Sequence, residues 1–107
     1  MLIKFDNCKK LSKVTKLSKR LIQTVNNIGL FDVGYREDYY ADSLVIATDE
    51  SPINPYVVIH RTDWGKIAVH KWHGANHETT WYNTESQNYA FIDAITWMYE
   101  QRLIARA

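Results

Sequence analysis

A chain of 107 residues with 13 Lys/Arg, 12 Asp/Glu and a formal net charge of +1 is long enough for one hydrophobic core without staples. Four Gly, two Pro and 13% aromatic residues exclude a disordered or low-complexity chain. One cysteine, Cys8, excludes an intrachain disulfide, and no apolar run approaches the ~18 residues of a membrane span.

The near-neutral total conceals a segregated charge. Residues 1–20 hold seven Lys/Arg against one acid, and residues 21–107 hold six against eleven. Such asymmetry acts on association and steering more than on fold. No apolar stretch follows Met1-Leu2-Ile3-Lys4-Phe5-Asp6, so no signal peptide and a cytoplasmic location are expected.

The first predicted element is a helix from Lys9 to about Ile28. Advancing 100° per residue, Leu11, Val14, Leu17, Leu21, Ile22, Val25 and Ile28 fall on one side, and Lys9, Lys13, Lys16, Lys19 and Arg20 on the other. Cys8 reads as a half-buried residue at its start. Gly29 suits the left-handed position that ends a helix. Leu30 to Arg36 alternates as a half-buried strand does. Arg36-Glu37-Asp38-Tyr39 reads as a turn and Leu44-Val45-Ile46-Ala47 as a central strand. Asp49 to Pro55, with two prolines, reads as a loop.

Two hairpins follow. Tyr56–Arg61 and Lys66–Trp72 flank Asp63-Trp64-Gly65, which suits a three-residue loop with Gly65 left-handed. This register pairs Ile59 with Val69, Arg61 with Ile67, His60 with Ala68, Val58 with His70 and Tyr56 with Trp72. A second turn is expected at Gly74-Ala75-Asn76, with a strand from His77 to Tyr82. Thr84-Glu85-Ser86-Gln87 has the pattern of a capping box opening a last helix to about Ile104. The expected fold is therefore α+β: an N-terminal helix, a five-stranded antiparallel meander and a C-terminal helix. Both helices cover one face of the sheet in a two-layer sandwich, and residues 1–107 form a single domain.

Two surfaces suggest partners. The cationic helix back, with Lys13, Lys16 and Arg20, suits an acidic protein or, through counterion release, nucleic acid. If Val57, Ile59, Ile67, Val69 and Trp81 face the helices, the other sheet face shows Tyr56, Val58, His60, Ala68, His70, Trp72, Thr80 and Tyr82. Aromatic residues of this kind concentrate at protein interfaces and can also stack bases. The carboxylates and tyrosines from Asp32 to Asp42, continuing to Glu50, are charged turns or a phosphate-like acidic surface. In the last helix, Phe91, Ile92, Ile95, Met98, Tyr99 and Leu103 are expected to face inward. Trp97 then lies outward near Ala90, Ala94 and Ile104, a face that a homodimer would bury.

Chemistry is harder to find. His70 and His73 point to opposite faces of an extended strand, no Cys or carboxylate stands at a companion spacing, and no nucleophile motif occurs. No catalytic residue, metal or cofactor is expected. The reading is a small non-enzymatic module that occupies a partner protein's surface, of the inhibitor or adaptor type. Phage or mobile-element proteins directed against host defence share this size and composition. Nucleic-acid binding is the alternative, and a membrane role is not expected because the apolar stripe is needed for the core.

Overall fold

Side chains that alternate in polarity make strands, and short turns make consecutive strands neighbours. The computed structural model describes residues 3–4, 8–36, 42–47 and 55–106, with side chains for 10–35, 42–47 and 55–101. Its strands are β1 (Ile3–Lys4), β2 (Asp32–Arg36), β3 (Ser43–Ala47), β4 (Tyr56–Arg61), β5 (Lys66–His73) and β6 (Asn76–Asn83), in one antiparallel sheet in chain order. The five-strand meander is the expected one, with the short β1 added against β2. Helices α1 (Cys8–Thr15) and α2 (Lys19–Ile28) pack over β2 and β3, and α3 (Gln87–Arg106) packs over β4, β5 and β6. One cluster of buried side chains, including Leu11, Ile22, Val33, Ile46, Val57, Ile59, Val69, Phe91 and Met98, joins the two layers. No helix among the described residues is long and apolar enough to cross a membrane. Residues 37–41 and 48–54, where the acidic segment and proline loop were expected, lie outside the described residues, as does the Cys8 side chain.

The expected single N-terminal helix is two. Thr15 Oγ1 donates to the Leu11 carbonyl at 2.7 Å and Ser12 Oγ to the Leu17 carbonyl at 2.6 Å, so side-chain hydroxyls of the last turns of α1 bond backbone carbonyls on both sides of the break. Lys16 then adopts φ 59°, and Ser18 caps α2 by accepting from the Leu21 N–H. The break buries Leu11 and Leu17 together and leaves Ile28 exposed. It also distributes the cations over α1, the joint and the first turn of α2.

The first hairpin has the expected register throughout, from Tyr56 opposite Trp72 to Arg61 opposite Ile67. The Thr62 N–H donates to the Lys66 carbonyl at 2.8 Å, and Gly65 has φ 84°. The second hairpin differs. Its loop is Gly74-Ala75 alone, closed by the pair His73 and Asn76. Gly74 at φ 62°, with Ala75 at negative φ, fits a two-residue turn of the II′ kind. A two-residue loop in place of three shifts β6 by one residue, and a shift of one turns every side chain to the other face. Trp81 therefore leaves the helix face, and Thr80 and Tyr82 enter it.

Helix α3 is also turned, by about 100°, one residue's advance. Ala90, Phe91, Ala94 and Met98 are buried, whereas Tyr89, Ile92 and Tyr99 are exposed. The small Ala90 and Ala94 let the helix axis come close to the sheet. The capping box does not form. Asn83 is the N-cap of a 3-10 turn at Thr84–Ser86 without a side-chain bond, and Gln87 Oε1 instead accepts from the Ser18 N–H at the start of α2.

Space around Gly65 is open, so a side chain there meets only backbone strain. Gly65→Val is expected to destabilise by about 1–2 kcal/mol, read as a lower denaturation midpoint with an unchanged slope. Lys13, Lys16 and Arg20 are exposed. Changing all three to Gln is expected to alter stability by about 1 kcal/mol or less, and calorimetric melting checks this.

Candidate functional site

With the helices on one face, the second face of the sheet carries three cross-strand rows. They run Ala47–Tyr56–Trp72–His77, Val45–Val58–His70–Thr79 and His60–Ala68–Trp81. The middle of this face is closed to solvent at Ser43, Val45, Val58, His60 and Ala68. Accessible surface lies toward β5, β6 and the first hairpin loop. There Trp64 is 67% and Trp81 49% exposed, His77 is exposed, and Tyr56, His70, Trp72 and Thr79 are half-buried.

The rings form an unbroken series. Tyr56 stacks with Trp72 at 6.1 Å, and Trp72 with His77 at 4.0 Å and 12°. His77 stacks with His70 at 5.4 Å, and His70 with His60 at 5.0 Å. His60 meets Trp81 at 6.3 Å, and Trp81 meets Trp64 at 5.5 Å. From Tyr56 to His60 the spacing follows from the sheet, because directly opposed or diagonal residues on one face lie within reach of aromatic side chains, whereas His60 meets Trp81 across the small Ala68 and Trp64 comes from the hairpin loop. Between the rings runs a polar knot. His70 Nδ1 lies 3.2 Å from His77 Nε2 and 2.9 Å from Thr79 Oγ1, and that hydroxyl lies 3.1 Å from His77 Nε2. Beside it, His60, Thr62, Asp63, Trp64, His70 and Trp81 line a hollow of about 460 Å³.

Most of the expected sheet-face residues are gathered here: Tyr56, His60, His70 and Trp72. His60 is buried, so its part is to support the neighbouring rings. Tyr82 is a correction. It pairs with Ile67 on the helix face, and its hydroxyl donates to Asp93 Oδ2 at 2.7 Å. Sequence reasoning missed Trp64, Trp81, His77 and Thr79 as members of this surface. The signal was Gly74, whose place at the head of a two-residue turn gives the β6 register. His73 remains apart on the turn.

The proposed self-association face is corrected as well. Ala90 is fully buried and the half-buried Trp97 packs against the core. Trp97 therefore faces the sheet, and the side chain of Ile104 lies outside the described residues. Among the described residues, the outward large apolar side chains of α3 are Tyr89, Ile92 and Tyr99.

Lys13, Lys16 and Arg20 lie on the helix layer, away from the rings. Lys16 alone reaches toward them: its carbonyl accepts from Arg61 Nη1 at 3.1 Å. Lys16, Arg61, Thr62, Asp63 and Gly65 line a second hollow on the other side of the hairpin loop.

Under α3, Lys71 is buried and its Nζ lies 2.8 Å from Asp93 Oδ1. Burial, then the hydrogen bond to Asp93, then the charge of Asp93 push the Tyr82 phenol from 10.0 up to about 12. A raised value means that the stability tied to the neutral phenol is complete below pH 10 and is lost as pH rises through about 12.

No protein-family model, curated protein or solved structure matches the chain.

Removing the carboxylate that faces Lys71 is expected to be costly, because the ammonium stays under α3. Asp93→Ala should lose about 2–3 kcal/mol in urea denaturation, somewhat below the value for a fully enclosed pair. The stability difference between the wild type and Tyr82→Phe should be constant below pH 10 and shrink toward pH 12, measured by denaturation across that range.

Proposed function

We propose that the protein is a non-enzymatic module of the inhibitor or adaptor type that binds a partner protein through the ring-bearing end of its sheet. The observation that carries this reading is the pair Trp64 and Trp81, two largely exposed indoles 5.5 Å apart at the mouth of a hollow. Exposed Trp side chains set together in a rigid frame are typical anchors at interfaces, where their burial contributes most of the affinity. Their hydration is unfavourable in the free protein, and the cross-strand stack beneath them keeps them presented. Little ordering entropy is then lost on binding.

A second reading, single-stranded nucleic acid, draws on the same rings as a stacking platform. It is favoured by one observation: Lys16 and Arg61 sit round the hairpin loop from Trp64. The carboxylate of Asp63 borders both hollows and opposes phosphate there. The remaining cations of the basic helices lie on the opposite layer, so one strand cannot use both surfaces at once. This geometry favours a protein partner.

Affinity capture from a native lysate, with wild type and a Trp64→Ala/Trp81→Ala variant side by side, tests the proposal. A protein recovered in stoichiometric amount by the wild type and lost with the variant is the expected result. Equal recovery by both would remove the rings from the interface. Recovery abolished by nuclease, with heparin retention that collapses in modest salt, would favour nucleic acid.

A further inference from the structure

We propose that His70, His77 and Thr79 hold a divalent transition-metal ion at the β5–β6 edge of the sheet. Three donor atoms, His70 Nδ1, His77 Nε2 and Thr79 Oγ1, form a triangle with sides of 2.9, 3.1 and 3.2 Å. Two ligands bonded at about 2.0–2.1 Å to one ion are about 3.4 Å apart at a tetrahedral angle and about 2.9 Å apart at a right angle. The triangle lies within that range. An ion about 1 Å above its plane reaches all three atoms at such bond lengths.

The arrangement is set before any ion arrives. His70 stands directly opposite Thr79, and His77 is two residue pairs along, opposite Trp72. Sheet geometry thus puts both rings on one face at diagonal positions. Trp72 lies against the His77 ring at 4.0 Å, and His60 stacks on the His70 ring at 5.0 Å. These contacts fix ring orientation, as supporting groups do around metal-bound histidines. When the ring protons sit on the far nitrogens, two lone pairs face one another across 3.2 Å. A cation between them turns that repulsion into two bonds.

The donor set defines the ligand's class. The two imidazoles suit Zn²⁺, Ni²⁺ or Cu²⁺, and not Mg²⁺ or Ca²⁺, which favour carboxylate oxygen, and the neutral hydroxyl adds a weaker third donor. Among the described residues no three His, Cys, Asp or Glu side chains converge to hold a metal. The Thr79 hydroxyl, 2.9 Å from His70 Nδ1 and 3.1 Å from His77 Nε2, supplies the third donor, and further coordination positions open to solvent past the exposed His77. A site with open positions leaves room for water or a further ligand, unlike the closed sites that staple a fold.

Calorimetric titration of the full chain with ZnCl₂, NiCl₂ and MgCl₂ tests the site without any partner. One equivalent of zinc or nickel is expected to bind, and no magnesium. His70→Ala and His77→Ala should each weaken binding about 10-fold or more. His73→Ala and Cys8→Ser should leave it unchanged. Copper should quench tryptophan emission in the wild type and much less in Trp72→Phe, because that indole lies against the His77 ring. No zinc or nickel binding at millimolar metal would overturn the proposal, and so would binding that survives His77→Ala. If His70→Ala does not fold, His77→Gln decides the matter, because His77 is exposed and its replacement leaves the core intact.

Discussion

The structure turns on a tight connection of two residues, Gly74-Ala75. A strand has a period of two, so the length of the turn before it decides which half of its side chains enters the core. With His73 opposite Asn76, the helix face of β6 receives Glu78, Thr80 and Tyr82, and the other face receives His77, Thr79 and Trp81. The part of the ring series that β6 supplies, His77 and Trp81, follows from that assignment. So does the polar tie beneath α3, because Tyr82 reaches Asp93 only from the helix face. A three-residue loop would have sent Trp81 under the helix and Tyr82 out to solvent. A Cβ-bearing residue at φ 62° is strained, so the chemistry of the glycine at position 74 is coupled to the position of a tryptophan seven residues away.

The same example shows what could be read in advance. Tyr56–Arg61 and Lys66–Trp72 could be paired residue by residue, because alternation in both strands and a glycine at the loop's end agree on one register. In β6 the alternation is weak: Asn76-His77-Glu78-Thr79-Thr80-Trp81-Tyr82-Asn83 puts a large aromatic on each face and no aliphatic on either. Only the turn could decide, and Gly-Ala-Asn can be read as two loop residues or three. The fold class was legible, since it depends on the order of elements. The membership of the candidate site was legible in β4 and β5 and not in β6.

Helix α3 presents a related ambiguity. Its sequence is apolar around much of its circumference, so a helical wheel does not choose one face. The choice is made by shape and charge together. Ala90 and Ala94 offer a narrow side that approaches the sheet closely, and Phe91 and Met98 fill the space beside them. Asp93 sits at the flank, where it meets Lys71 and Tyr82. A lysine in the middle of a strand that faces a helix is a conflict in sequence terms until its carboxylate is found on the helix above. The pair then ties the rotation of α3 to the sheet beneath it. Turning α3 to bury Ile92 and Tyr99 would separate Asp93 from Lys71 and leave an ammonium enclosed without its counter-charge. Trp97, expected to point outward, is carried inward by the same rotation.

The N-terminal region shows local chemistry prevailing over a pattern that looked continuous. Residues 9–28 have an unbroken apolar stripe, yet Ser12, Thr15 and Ser18 carry hydroxyls at the positions where backbone groups need partners if the helix stops. These residues offer the backbone an alternative to helix, and three within seven positions were the available signal. The joint has an electrostatic consequence. In one long helix, Lys16, Lys19 and Arg20 would lie mid-helix, where the macrodipole has little effect. In the observed arrangement Lys19 and Arg20 occupy the first turn of α2, where cations are disfavoured, and no acidic residue offsets them there. Folding alone gives no reason for that choice. Lys16 is placed just as awkwardly, in the left-handed region where a lysine has no advantage. Its carbonyl nevertheless accepts from Arg61 beside the first hairpin. Among the cations of α1, the joint and α2, Lys16 thus comes to the first hairpin, whose loop, with Asp63, borders a hollow on each side. Two surfaces of different chemistry are held apart by that one hairpin loop.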